Sequence, residues 1–189
     1  MQVMVTGGSG HLGHYVIDEL YRRGHSVVNA DVVRAGTVDG ARSPAFADMR
    51  KSWPSNPQFF TVNVTDYGQV ISAMDSCDAV IANLTPFRGI SADPGTVFEV
   101  GYIIGQGKAA FGFTMDRRHY RERAGAADRD ELGHSIEDFE MNDNLMIEGG
   151  LQESGGQLLV AEQPGEHRFF SAELFRRCVQ ALIDYSHSR

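Results

Sequence analysis

Short apolar runs alternate along this chain with longer segments in which apolar residues recur every three or four positions. The first pattern is typical of buried strands and the second of amphipathic helices. The apolar runs predict strands at residues 2–6, 26–31, 59–62, 79–83 and 109–114. The recurring pattern predicts helices at residues 11–23, 66–74, 96–107 and 171–186. This alternation predicts an α/β fold, a single doubly wound domain over residues 1–189 with a central parallel sheet of about five strands flanked by helices.

Some segments depart from the alternation. Residues 34–57 are rich in Gly, Ser, Pro and Ala and form a long excursion within the domain, and residues 115–143 form a charged loop and helical segment. Gly155 and Gly156 predict a hairpin. In the closing helix four side chains share one face, which predicts that this helix packs on the sheet. They are Leu174, Cys178, Leu182 and Tyr185.

Composition narrows the range of functions. The 189 residues are 42% hydrophobic, which is enough to bury a core. A formal net charge of −8 argues against a nucleic-acid groove, because such a groove needs clustered cations. Cys77 and Cys178 do not suggest a disulfide framework. No apolar run approaches the roughly 18 residues of a membrane span. No cluster of His, Cys, Asp or Glu has the spacing of metal ligands. We therefore expect a cytoplasmic protein without nucleic-acid, membrane or metal partners.

Two carboxylates, Asp93 and Glu99, follow the strand at residues 79–83, one in a loop rich in glycine and proline and one in the next helix. Such a pair suits cleavage of a glycosidic bond, which needs a nucleophile for the oxocarbenium-like sugar and an acid for the leaving group. Two carboxyls roughly 5 Å apart divide this work in retaining glycosidases. A structural interpretation competes with this one, because Asp93 before Pro94 fits a helix N-cap and Thr96-x-x-Glu99 fits a capping box.

The run from Asp78 to Lys108 resembles the nucleoside 2-deoxyribosyltransferases, whose signature reads D-x-V-x-A-D/N-L-x-P-F-R-G and then D-x-G-T-x-x-E-x-G. The resemblance extends from about Cys77 to Met146. It implies an enzyme that exchanges the base of 2′-deoxynucleosides with free nucleobases and needs no cofactor. Glu99 would be the nucleophile that forms a covalent 2-deoxyribosyl enzyme, and Asp93 would contact the deoxyribose and the base.

The same resemblance implies further substrate contacts. Phe87 and Arg88 of the PFRG loop would line the base site, and Gly95 would lie at the substrate. Downstream, Asn144 begins an Asn-Leu-Met element that ends at Met146. In the family this Asn reaches the sugar 5′-hydroxyl of a neighbouring subunit, so the resemblance implies a homo-oligomer whose active sites are completed by neighbouring chains.

The segment TMDRRHYRERAG, between these elements, is similar to some purine-preferring members and implies a place in purine salvage. Its four arginines are interpreted most simply as a solvated helical face without a ligand. They are Arg117, Arg118, Arg121 and Arg123.

The first 80 or so residues resemble a different family, the extended short-chain dehydrogenases, through the loop TGGSGHLG and through Asp31 at the end of the next strand. In that family the loop binds a dinucleotide pyrophosphate. The Tyr-x-x-x-Lys pair that supports hydride transfer is missing, because neither Lys51 nor Lys108 has a Tyr four residues before it. Three interpretations of the loop TGGSGHLG stay open. Its glycines permit a tight turn, or the loop binds a dinucleotide. Alternatively, backbone amides at Gly7, Gly8 and Ser9 hold the sugar or 5′-phosphate of a nucleoside.

The chain departs from the transferase pattern at two supporting positions. Met4 stands where the family has a Tyr that hydrogen bonds to the nucleophile. Val70 stands where an Asp or Asn orients the base, with Gln69 and Asp66 as the nearest polar residues.

The leading hypothesis for the function is a nucleoside 2-deoxyribosyltransferase. The alternatives are a nucleoside 5′-monophosphate N-glycosidase and a nucleotide-binding module without catalysis, and the preferred base and sugar stay open.

Overall fold

The computed structural model describes residues 2–6, 11–31, 48, 50–63, 66–125, 127–163 and 168–188. The chain forms two compact units, Met1–Ala79 and Val80–Arg189. Gly7, Gly8 and Ser9 lie outside the described residues, as does most of the excursion at residues 34–57. Predictions about that loop and that excursion therefore stay predictions, as does the single domain.

Among the described residues of the first unit, three parallel strands and two helices have defined bounds. They are β1 (Gln2–Thr6), α1 (His11–Arg22), β2 (Ser26–Asp31), β3 (Gln58–Thr61) and α2 (Tyr67–Asp75). The strands lie in the order β3-β2-β1, with Val3 opposite Val27 and Asn29 opposite Phe59. Four consecutive residues of β2 are buried, as expected of a parallel strand covered on both faces.

The second unit continues the alternation. Its elements are β4 (Ala79–Asn83, whose first residue belongs to the first unit), α3 (Pro94–Gly105), β5 (Ala109–Thr114), α4 (Tyr120–Ala124), α5 (Leu145–Glu153), β6 (Leu158–Val160) and α6 (Ala172–His187). The strands lie in the order β4-β5-β6, and Phe113 of β5 pairs in parallel with Leu159 of β6. All six residues of β5 are buried. None of the helices in the described segments has the length and apolarity needed to cross a membrane.

Most predicted elements are confirmed, including the α/β class with parallel strands and flanking helices, although the described strands number six rather than about five. The closing helix α6 packs as predicted, since Leu174, Cys178 and Leu182 are at most 3% exposed. Burial also raises the pKa of the Cys178 thiol to about 12. The thiol is therefore protonated at neutral pH and a poor nucleophile.

The predicted hairpin around Gly155 and Gly156 is wrong. The residues before these glycines form α5, and the residues after them form β6, which pairs in parallel with β5. Gly155 has a φ of +86°, and a Cβ on Gly156 would collide with the carbonyl oxygen of Ala110. The glycines therefore permit a tight passage from helix to strand beside β5.

Gly112 is a glycine that close packing requires. A Cβ there would lie 2.7 Å from Leu84 Cδ1 and 3.1 Å from Leu151 Cδ1. We expect Gly112→Ala to lower the free energy of unfolding by about 1–3 kcal/mol, because the extra methyl overpacks the core. Denaturant unfolding measures this change. Gly105→Ala is the matched control, since no atom lies within 4 Å of a Cβ there; equal unfolding midpoints for the two variants would contradict the prediction.

Candidate functional site

The loop between β4 and α3 is anchored to the carboxyl end of the neighbouring strand β5. The Leu84 amide donates to the Phe113 carbonyl at 2.8 Å, and the Met115 amide donates to Thr85 Oγ1 at 3.0 Å. Thr85 Oγ1 in turn donates to Asn83 Oδ1 at 2.7 Å. In open parallel sheets ligands bind at the carboxyl ends of the strands, so these bonds hold a loop where a ligand site is expected.

Asp93 caps the helix that follows this loop. Its Oδ2 accepts a hydrogen bond from the Thr96 amide at 3.1 Å, and Pro94 occupies the first helical position. A Cβ on Gly95 would lie 3.0 Å from Asp93 Oδ2, so glycine leaves room for the capping carboxylate. The predicted Asp93-Pro94 cap is therefore confirmed. The capping box is wrong, because Thr96 is the third helical residue and Glu99 the sixth, beyond the reach of the cap.

Glu99 is a half-buried carboxylate in the second turn of α3. Within the part of the chain that the structure describes, no group forms a hydrogen bond or ion pair with it. Burial raises the pKa of Glu99 above its ordinary value, and the negative charge of Asp93 raises it further. A desolvated carboxylate coupled to a second acid has the electrostatic character of a catalytic group rather than of a surface residue.

A buried acid that the sequence did not indicate, Asp143, holds the residues just before Asp93. It is 1% exposed, and it accepts hydrogen bonds from the Ser91 hydroxyl, from the Ala92 amide at 3.1 Å and from the Asn144 amide at 2.8 Å. In the sequence, the one feature that could have marked Asp143 as a site residue was its position directly before the Asn-Leu-Met element. Asp143 thus connects the loop that carries Asp93 to the start of α5.

Arg123 is the cationic partner of this acid. Its side chain is 2% exposed, and Nη2 lies 3.5 Å from Asp143 Oδ2. Nε donates to the Ile90 carbonyl at 2.7 Å and Nη1 to the Arg118 carbonyl at 2.8 Å. The interpretation of the four arginines as a solvated face is therefore wrong for Arg123, although Arg117 and Arg118 are exposed.

Asn144 and Met146 lie at the start of α5. Asn144 is the N-cap, where its Oδ1 accepts from the Met146 amide at 3.0 Å and its Nδ2 donates to Glu137 Oε1 at 2.9 Å. The Met146 side chain is 80% exposed. Both residues lie beside Asp143 in the chain, and a role for Asn144 in a neighbouring subunit stays a prediction.

Phe87 and Arg88 form the exposed tip of the loop. The Phe87 ring lies 6.0 Å from the Phe169 ring in an edge-to-face arrangement, and the Arg88 guanidinium lies 5.0 Å from the Phe87 ring centroid. The Phe87 amide donates to the Ser91 carbonyl at 3.1 Å, which closes a turn in which Arg88 has a φ of 56°. The tip therefore offers an exposed aromatic surface of the kind that stacks on nucleobases.

In the first unit, the departures from the transferase pattern have structural uses. Met4 and Val70 pack on the buried cluster of Ala30, Val62 and Ala73. The two polar neighbours of Val70 belong to the cap of α2. Asp66 accepts from the amide and the side chain of Gln69, at 3.2 and 2.8 Å. These polar groups are therefore occupied in holding the helix.

Comparison with known proteins gives matches to two families. Residues 63–146 match the nucleoside 2-deoxyribosyltransferase family. That segment carries Asp93, Glu99 and Asn144. Residues 3–92 match the NAD-dependent epimerase/dehydratase family. Both resemblances read from the sequence are confirmed, and the transferase match begins before Cys77 and overlaps the other between residues 63 and 92.

Individual proteins match this chain over part or most of its length. An uncharacterized protein of Schizosaccharomyces pombe is 33% identical over 130 residues, which cover 58% of each chain. The present chain thus spans little more than half of that relative. A 2-desoxiribosyltransferase from Leishmania mexicana is 28% identical, with a TM-score of 0.43 over 64% of this chain and 84% of its own. The apo form of LigD from Sphingobium sp. strain SYK-6, 15% identical, has a TM-score of 0.50 over 98% of this chain and 87% of its own, and shares the Rossmann-like fold.

Proposed function

We propose that this protein is a nucleoside 2-deoxyribosyltransferase that exchanges the base of 2′-deoxynucleosides through a covalent 2-deoxyribosyl-Glu99 intermediate. The family match over residues 63–146 supports the substrate class, namely nucleosides and free bases. The observation that carries the residue assignment is the state of Glu99, a half-buried carboxylate with a raised pKa beside the second acid Asp93.

The proposed reaction has two balanced steps. A Glu99 carboxylate oxygen attacks the anomeric carbon and an ester forms. The N-glycosidic bond breaks as its electron pair leaves with the base, which takes up one proton from solvent. A second base then attacks the anomeric carbon, gives one proton to solvent, and releases the carboxylate. Two displacements at one carbon retain its configuration. Asp93 contacts the sugar and the leaving base, and its cap to Thr96 keeps it at the start of α3.

Glu99 suits the first step because of what surrounds it. A carboxylate held by cations or amide donors is a weak nucleophile, since those bonds stabilise the negative charge that must be given up on attack. In the described part of the chain no such bond reaches Glu99, and burial disfavours its charged form. Phe87 and Arg88 supply the base surface, and Asn144 and Met146 of a neighbouring chain complete the site in the proposed homo-oligomer.

The test is mass spectrometry of the protein mixed with a deoxynucleoside and quenched in acid. We expect a fraction of the protein to gain the mass of one 2-deoxyribosyl group, and peptide sequencing to place it on Glu99. Glu99→Gln is the control and should gain nothing. Base exchange without this adduct, or with an adduct on another residue, would overturn the assignment. Chromatography of the same mixture separates transfer to a base from transfer to water.

A further inference from the structure

A cleft of about 670 Å³ lies in the second unit, between the loop after β4 and the segment after β5. Thr85, Pro86, Gly89 and Ile90 of the loop after β4 line one part of it. Ionisable side chains dominate the rest of the lining, and none of them belongs to the carboxylate pair. They are Asp116, Arg117, Arg118, Glu122, Arg123 and Arg168.

The cleft is cationic in an acidic protein. Among the described residues, four guanidinium groups and two carboxylates line it, whereas the whole chain has a formal net charge of −8. Asp116 is already neutralised, since Arg118 binds both of its oxygens at 3.0 and 2.7 Å and holds the pKa of Asp116 below its ordinary value. The Glu122 carboxylate accepts from the His119 amide at 2.8 Å. Arg123 has its counter-charge in Asp143. Arg117 and Arg168 then outnumber Glu122, so positive charge is left over among the described residues that line the cleft.

Three of the arginines keep donors available. Arg123 is buried, and its Nη2 has no hydrogen-bond partner in the described residues, since Asp143 lies 3.5 Å away without a bond to it. Arg117 donates from Nη1 to the Glu162 carbonyl at 3.2 Å, and within the described residues its other guanidinium donors form no hydrogen bond. Arg168 lies 5.1 Å above the Phe169 ring. Such pre-placed guanidinium groups match the oxygen geometry of phosphate.

We propose that this cleft binds the phosphate group of a phosphorylated small molecule. An uncharged deoxynucleoside makes no use of the positive charge of Arg117 and Arg168. The wall of the cleft includes Pro86 and Gly89, which flank the exposed Phe87 and Arg88. If the proposed transferase function holds, on which this step rests, the ligand is a nucleotide with its phosphate in the cleft and its base near Phe87.

Calorimetric titration of the Glu99→Gln variant tests the proposal without turnover. Its ligands are inorganic phosphate, deoxyadenosine and deoxyadenosine 5′-monophosphate. We expect the monophosphate to bind at least about tenfold more tightly than deoxyadenosine, and the difference to shrink as salt rises. Binding of phosphate with equal affinity to the monophosphate identifies a general phosphate site. Failure of both phosphates to bind, or their equality with deoxyadenosine, overturns the proposal.

Substitution of cleft arginines tests whether the phosphate binds in the cleft. Arg117→Gln with Arg168→Gln changes two exposed side chains, and we expect this double variant to weaken phosphate binding about tenfold or more. Arg177→Gln is the matched control, because Arg177 pairs with Glu162 at 2.7 Å and does not line the cleft. Equal weakening by the control would place the phosphate elsewhere. Absence of base exchange by the unmodified protein, with phosphate binding intact, would refute the transferase function and leave the cleft site standing.

Discussion

Glu99→Gln is expected to lower the rate of base exchange by about a thousandfold or more. Gln is close in size to Glu but has no oxygen able to form a stable ester with the sugar, so the covalent route is closed. The measurement follows conversion of a deoxynucleoside and free adenine by chromatography. Glu173→Gln is the matched control, because Glu173 is an exposed acid in the first turn of α6. An unchanged rate for Glu99→Gln would show that Glu99 is not the nucleophile.

Compared with the unmodified protein, Glu99→Gln should become more stable as pH rises. The raised pKa means that folded Glu99 holds its proton more tightly than the unfolded chain does, so its stabilising effect is present below the ordinary value of 4.5 and is lost as pH rises through the folded pKa. Gln does not ionise and escapes this loss. We therefore expect Glu99→Gln to melt at a higher temperature than the unmodified protein at about pH 7, with the difference vanishing at about pH 4. A difference confined to acidic pH would contradict the assigned direction.

Asp143→Ala is expected to cost about 3–5 kcal/mol of unfolding free energy, the range seen when one partner of a buried ion pair is removed. The substitution leaves the Arg123 guanidinium buried without its counter-charge, and it strips an acceptor from the Ser91 hydroxyl and the Ala92 amide. Urea unfolding measures the loss. Asp128→Ala is the control, since Asp128 is fully exposed where it pairs with Arg121, and should change stability by less than about 0.5 kcal/mol.

Asp143→Asn separates positioning from stability. Asn keeps an oxygen that can accept from Ala92 but lacks the charge that faces Arg123. We expect an unfolding free energy between those of Asp143→Ala and the unmodified protein. If the loop position set by Asp143 matters for Asp93, base exchange should fall even at temperatures where the Asn variant is fully folded. Full activity in that folded variant would limit Asp143 to a structural role.

Local periodicity was sufficient to find most of the fold. The strands Ala79–Asn83 and Ala109–Thr114 have the predicted limits, because a run of apolar residues between turn residues suits a parallel strand. All six residues of the second strand are buried. The cap at Asp93 was also readable, since an N-cap is an interaction among four consecutive residues. The hairpin predicted at Gly155 was wrong, because a glycine indicates a tight turn but does not indicate which elements the turn connects.

Sequence patterns were thus enough to find most of the strands and helices, the motif that carries Asp93 and Glu99, and the reaction class that the motif suggests. The surroundings of those carboxylates became visible only in the folded chain. Asp143 reaches Ala92 across 51 positions, and Arg123 is buried against it although its neighbours in the chain suggested a solvated face. Periodicity records which face of an element is buried, whereas such contacts depend on how the topology brings distant loops to one end of the sheet.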